Sequence, residues 1–202
     1  MKRIFIALLV LLSIYACKRG KNIPDVSNIK IDFNVQRFEQ DFFQMDTLHM
    51  DKSLQQLSQK YPLFFGDFMT NIMGMELNGD SAMVIVKRFI AAYTPIYQLV
   101  EKQFADLSQY TNEIKQGFQF IHYYFPKYKL PKNLITFIGP MDAYFNGSTG
   151  SYGDVLTQAG PAVGLQLHLG KDQQIYKAGM ESGAIYDYQA KRFIPEAIPV
   201  NV

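Results

Sequence analysis

The chain has 202 residues, 20 Lys and Arg against 18 Asp and Glu, and a single cysteine. So small a charge excess excludes the basic footprint that phosphate-backbone binding requires, and nucleic acid is not an expected partner. One cysteine excludes an internal disulfide, and the length suits one domain with a core of its own.

Residues 1–16 have the layout of a secretory signal. Met1-Lys2-Arg3 is basic, 4–14 is almost wholly apolar, and that run is too short to span a bilayer. Ala16 stands directly before Cys17, which is similar to the lipobox of bacterial lipoproteins, with Tyr15 departing from the smaller residue commoner there. In such proteins the thiol is diacylated (a palmitate-type modification), the signal is cut before it, and the new amino terminus is acylated too. Two or three acyl chains anchor stably where one is marginal. Cleavage would remove Lys2 and Arg3 and leave eighteen charges of each sign. Residues 17–28, including Lys18-Arg19-Gly20-Lys21-Asn22, then read as a polar tether beside the headgroups. Lys18 directly after the cysteine points to the outer membrane, facing the periplasm.

From residue 29 onward a single α+β domain is expected, helix-rich with a small mixed sheet. Residues 29–35 alternate apolar and polar, a strand with one buried face. Residues 36–43, with Phe38, Phe42 and Phe43 around Glu39 and Asp41, suit a short helix or turn. Leu54, Leu57 and Tyr61 at helical spacing predict an amphipathic helix over 51–61. Pro62 permits a new helical start, whose apolar stripe runs to Met73 and is weakened by Gly66 and Gly74. Residues 77–80 form a turn, Ser81 caps a helix through Ala92, Pro95 interrupts, and the helical period resumes from Ile96 to Leu107. A further helix covers 111–125. The many Phe and Met residues of this middle region read as core filler.

The stretch 134–170 is the most distinctive. Leu134, Ile135, Phe137 and Ile138 form a buried strand closed by Gly-Pro. Leu165, Leu167 and Leu169 alternate with Gln166, His168 and Gly170, which predicts a half-buried strand with a polar outer face. The glycine-rich connection between them is too long for a hairpin and reads as functional or mobile. Beyond 170 the pattern fades: 171–183 is polar, 184–193 suits a short helix, and Pro195 and Pro199 mark an extended exit. The chain reads as incomplete at its C-terminus.

Chemistry finds little foothold. His49, His122 and His168 have no second metal ligand at helical spacing. Gly147-Ser148-Thr149-Gly150-Ser151 lacks the lysine of a phosphate loop, and no nucleophile elbow occurs. Asp142 and Asp154 form a carboxylate pair in one loop, where turn capping is the ordinary use. Tyr144, Phe145 and Tyr152 offer either a recognition surface or a lid over the core, and His168 shares a predicted strand face with Gln166. No cofactor and no catalytic constellation is expected.

Several uncommon phrases appear together and in order: Ile23-Pro24-Asp25-Val26-Ser27, Gln36-Arg37-Phe38, Tyr124-Phe125-Pro126-Lys127-Tyr128-Lys129-Leu130-Pro131, Phe137-Ile138-Gly139-Pro140-Met141-Asp142-Ala143-Tyr144-Phe145 and Gly164-Leu165-Gln166-Leu167-His168-Leu169-Gly170. In these the chain resembles the gliding-motility lipoprotein family GldB. The resemblance implies a lipid-anchored envelope protein that supports the gliding machinery and its associated secretion apparatus, with envelope proteins as partners and no established catalysis. It also implies a distant zincin-like architecture, similar to thermolysin-like peptidases. In those enzymes an edge strand, here 163–169, runs beside a helix with His-Glu-x-x-His, which would lie beyond Val202. Asp142, Tyr144, Phe145, Tyr152 and Asp154 of the loop, with Gln166 and His168 of the edge strand, are the expected partner-binding set. The alternatives are a zinc-dependent hydrolase with ligands beyond residue 202, or a peptide- or glycan-binding lipoprotein.

Overall fold

A computed structural model describes residues 23–75, 80–141, 153–183 and 185–202. Cys17, Asp142, Tyr144, Phe145 and Tyr152 lie outside the described residues.

The architecture is α+β, with a mixed four-stranded sheet of order β1-β2-β4-β3. Strand β1 (Asn34–Arg37) pairs in parallel with β2 (Asn133–Phe137), β2 pairs in parallel with β4 (Gly160–Gly164), and β3 (Val155–Thr157) closes antiparallel on β4. The expected strand at 29–35 is therefore shifted toward 34–37. Asn34 faces Asn133 in register, β2 begins there, and residues before Asn34 find no partner strand. Val26, within the stretch read as tether, is buried instead of solvated.

Between β1 and β2 runs a helical crossover: α1 (Phe38–Phe43), α2 (Met50–Lys60), α3 (Phe65–Asp67) leading into a π-helical turn (Phe68–Ile72), α4 (Asp80–Gln103) and α5 (Ser108–Tyr124). A long crossover is what a parallel pair requires. Pro95 does not interrupt α4, contrary to expectation. Val86, Phe89, Ile90 and Val100 are all buried along this helix, and that packing outweighs the lost N–H of the proline. Just before the proline, Thr94 donates its hydroxyl to the Ile90 carbonyl at 2.7 Å.

The core is the aromatic filler that the helical stripes predict. Phe38 is fully buried, with ring centroids of Phe68, Phe64 and Tyr61 at 4.6, 4.9 and 5.1 Å, and Phe137 of β2 reaches Phe68 at 6.2 Å. This cluster seats α1 and the π turn on one face of the sheet.

The strongest departure is at 165–169. Leu165–Leu167 is a 3₁₀ turn and not a strand. Leu165, Gln166, Leu167, His168 and Leu169 are all buried, so the alternation has no polar outer face. Nor does this stretch form an edge: β4 ends at Gly164 and lies between β2 and β3. The chain after it continues as α6 (Gln174–Glu181), α7 (Asp187–Ala190), a 3₁₀ turn (Pro195–Ala197) and α8 (Ile198–Asn201). Pro195 and Pro199 sit in the first turns of these last two elements, where a missing N–H costs nothing, and they start helices instead of marking an extended exit.

Candidate interaction site

The hairpin β3–β4 turns through Gln158 and Ala159, with Thr157 opposite Gly160. Gly160 has φ 129°, and a Cβ there would meet the Asn133 carbonyl oxygen at 2.6 Å, so only glycine lets the hairpin lie against β2. Leu156 faces Pro161 in register. Proline has no N–H to give, which makes this the pair without ladder hydrogen bonds. The N–H and C=O of Leu156 consequently point away from β4, toward the sheet's outer edge. Among the described residues no strand covers that edge.

Beside the edge lies an open cleft of about 520 Å³, walled by Val155, Leu156, Thr157 and Gln158 on one side and by Asp67, Asn71 and Ile72 on the other. The second wall is formed by the last residue of α3 and the last two of the π-helical turn. Asn71 donates its amide to Asp67 at 3.0 Å, and the Gln158 N–H approaches the other Asp67 oxygen at 3.4 Å. Leu156 is 85% exposed. The cleft thus offers the apolar side chains of Ile72, Val155 and Leu156, one outward peptide group and a carboxylate with its amide partner. That set can take an extended peptide by adding a strand to β3.

Behind the hairpin is a buried polar node. The carboxylate of Asp154 accepts from His168 Nε2 at 3.0 Å, from the Gly164 N–H at 3.1 Å and from Asn201 Nδ2 at 2.7 Å. His168 Nδ1 faces the Ile194 carbonyl at 3.1 Å. Both ring nitrogens thus lie within hydrogen-bond distance of oxygen atoms. The node ties the start of β3, the end of β4 and helix α8 together. Gln166 lies next to it, its carbonyl accepting the Tyr176 hydroxyl at 2.6 Å, while that hydroxyl accepts the Leu169 N–H at 3.1 Å. Burial pushes the Tyr176 phenol well above its usual range. The Gln166 Oε1 atom has no partner among the described residues.

Of the residues singled out in the sequence, Asp154, Gln166 and His168 come together, but inside the molecule. Gln166 and His168 are buried, and the Asp154 side chain is 7% exposed. Asp67, Asn71 and Leu156, which line the cleft, were not legible as a group because the first two lie about ninety residues from the third. Asn201 was missed for the same reason: its contact is with a carboxylate 47 residues upstream.

A second buried network lies at the opposite edge of the sheet. Glu39, fully buried, is bonded by the Arg37 guanidinium and by the Thr136 hydroxyl, the latter at 2.7 Å. Arg37 also donates to the Phe104 carbonyl at 3.0 Å and to Glu101 at 2.9 Å. Burial raises the pKa of Glu39, with Arg37 and Thr136 pulling it back down less strongly. This network joins β1, α1, β2 and the end of α4.

Metal binding is the remaining chemistry to weigh. Among the described residues no three His, Cys, Asp or Glu side chains stand close enough to hold an ion, and both nitrogens of His168 are already engaged.

The sequence model of the gliding motility protein GldB matches residues 19–202. The chain belongs to the GldB family. Membership associates it with gliding motility and with the lipid-anchored proteins of the cell envelope. No curated protein and no solved structure matches the chain. Among the described residues no helix is long and apolar enough to cross a membrane.

Proposed function

We propose that this GldB-family chain is a non-catalytic envelope lipoprotein, anchored through Cys17 at the periplasmic face of the outer membrane. It serves the gliding machinery and its secretion apparatus by capturing an extended segment of another envelope protein. The observation that carries this reading is the outer edge of β3, which no strand covers among the described residues, beside a cleft that Leu156 lines together with Asp67 and Asn71. Strand addition needs no chemistry from the protein, only a rigid edge, and the buried Asp154–His168–Asn201 node supplies the rigidity. A photo-crosslinking amino acid at position 156 in growing cells tests it. The expected result is one discrete envelope partner; a crosslinker at exposed Leu63 that captures the same partner equally well would sink the reading.

A second reading is a zincin-like hydrolase whose metal ligands lie beyond residue 202. An antiparallel edge strand beside a cleft favours it, because such an edge is where a peptide substrate would lie. Its test is the remaining reading frame: a His-Glu-x-x-His followed by a further Glu or His supports it, and the absence of both eliminates it.

A further inference from the structure

Eight consecutive residues, 122–129, are exposed at the end of α5 and in the loop that follows. Four are aromatic: Tyr123, Tyr124, Phe125 and Tyr128 are 51, 59, 65 and 62% exposed. Aromatic surface this concentrated marks a contact face, not ordinary solvated surface. Lys127, Lys129 and Lys132 are interleaved with the rings, and between Ile114 and Met141 the chain has four lysines and no Asp or Glu. Amphipathic rings beside ammonium groups suit a bilayer interface, with the rings at headgroup depth and the cations on lipid phosphates.

The N-terminal chain leads to the same place. The Asn34 N–H donates to the Lys132 carbonyl at 2.9 Å, at the end of the exposed loop. Gln119 donates its side-chain amide to the Ile29 carbonyl at 2.8 Å, and the Phe33 ring meets Phe118 edge-on at 5.1 Å. Gln119 precedes Tyr124 by about 7 Å of helix axis. Ile23, six residues before Ile29, is 72% exposed. From there to Cys17 the extended chain can reach at most about 20 Å. Three more basic residues, Lys18, Arg19 and Lys21, fall within that reach, while Asp25 and Asp32 are the carboxylates of the adjoining segment.

We propose that the aromatic and lysine-bearing loop at 122–132 docks on the anionic headgroup surface of the membrane and fixes how the domain stands on it. The orientation part rests on the lipid-anchor reading above. The docking part rests on the loop alone: its rings supply apolar contact, its lysines supply attraction, and a single acyl-independent contact of this kind is weak and reversible.

The test uses the mature chain from residue 17 carrying Cys17→Ser, so that no acyl chain contributes. It is sedimented with phosphatidylethanolamine–phosphatidylglycerol vesicles and, separately, with phosphatidylcholine vesicles. Binding is expected to the anionic vesicles, weaker binding to the neutral ones, and a fall with added salt. Replacing Tyr123, Phe125 and Tyr128 together by Ser should lower partitioning at least about tenfold. Lys127→Ser and Lys129→Ser should each lower it roughly fivefold. The variants should melt where the parent does, since these side chains are exposed. The proposal fails if the parent ignores anionic vesicles, if the triple variant binds as the parent does, or if the patch proves to drive self-association in sedimentation velocity instead. Mass spectrometry of the native N-terminus judges the acyl anchor separately, so the two failures are distinguishable.

Discussion

Asp154 and His168 stand 3.0 Å apart with side chains 7% and 1% exposed, joining the start of β3 to the turn after β4. This contact ties the hairpin that carries the outer edge to the chain after β4. A buried hydrogen-bonded pair of this kind is strongly destabilising to break, because the remaining partner stays desolvated and uncompensated. Asp154→Ala should therefore cost about 3 kcal/mol or more of unfolding free energy, read from urea denaturation. A loss below about 1 kcal/mol would mean that the pair is not what holds the hairpin.

Tyr176 makes a milder prediction of the same kind. Its hydroxyl pairs two otherwise buried backbone groups, the Gln166 carbonyl and the Leu169 N–H. Tyr176→Phe keeps the ring and strands both, at about 1–3 kcal/mol. Urea denaturation of the variant checks this, and unchanged stability would show that the 3₁₀ turn does not depend on the hydroxyl.

Glu39 gives a pH dependence whose sign is fixed by its burial. Its folded pKa is raised above the usual 4.5 by desolvation, so the folded state holds the proton more tightly than the unfolded one. The stability it contributes is present below 4.5 and is lost as pH rises through the raised folded value. Glu39→Gln cannot ionise. The stability of the native chain relative to this variant should therefore fall as pH climbs from 4.5, measured by urea denaturation across a pH series. A relative stability that rises with pH would show that Arg37 outweighs burial.

Cys17 tests the anchor. Cys17→Ser should move the protein into the fraction that alkaline carbonate strips from membranes, while the native chain resists that wash. A variant that resists carbonate with its signal removed would refute lipid anchoring at this residue.

How far the sequence reaches can be seen at three places. The strand at 133–137 and the helix at 50–60 were legible because each has an unbroken apolar period of its own. The helix across Pro95 was not, since local chemistry argued for a break while the buried row Val86, Ile90 and Val100 decided otherwise. The alternation at 165–169 suggests a strand because His168 looks solvent-facing until Asp154 and Ile194 meet its ring from elsewhere, and because Tyr176 holds the Gln166 carbonyl in a turn. The candidate site was hidden for the same reason. An edge strand is defined by which neighbour is missing, and three residues, 155–157, carry too little pattern to reveal it.

The most direct measurement concerns one peptide group. Leu156→Pro removes the outward N–H that an added strand would use, yet leaves the β3–β4 ladder intact, because Leu156 faces Pro161 in a pair without ladder bonds. Leu156→Ala keeps that N–H and removes only the side chain. In a gliding bacterium that carries this chain, deleted for it and complemented with each variant, gliding speed should be retained by Leu156→Ala and abolished by Leu156→Pro at equal protein levels in the membrane fraction. Gliding restored equally by both variants would contradict capture at this edge.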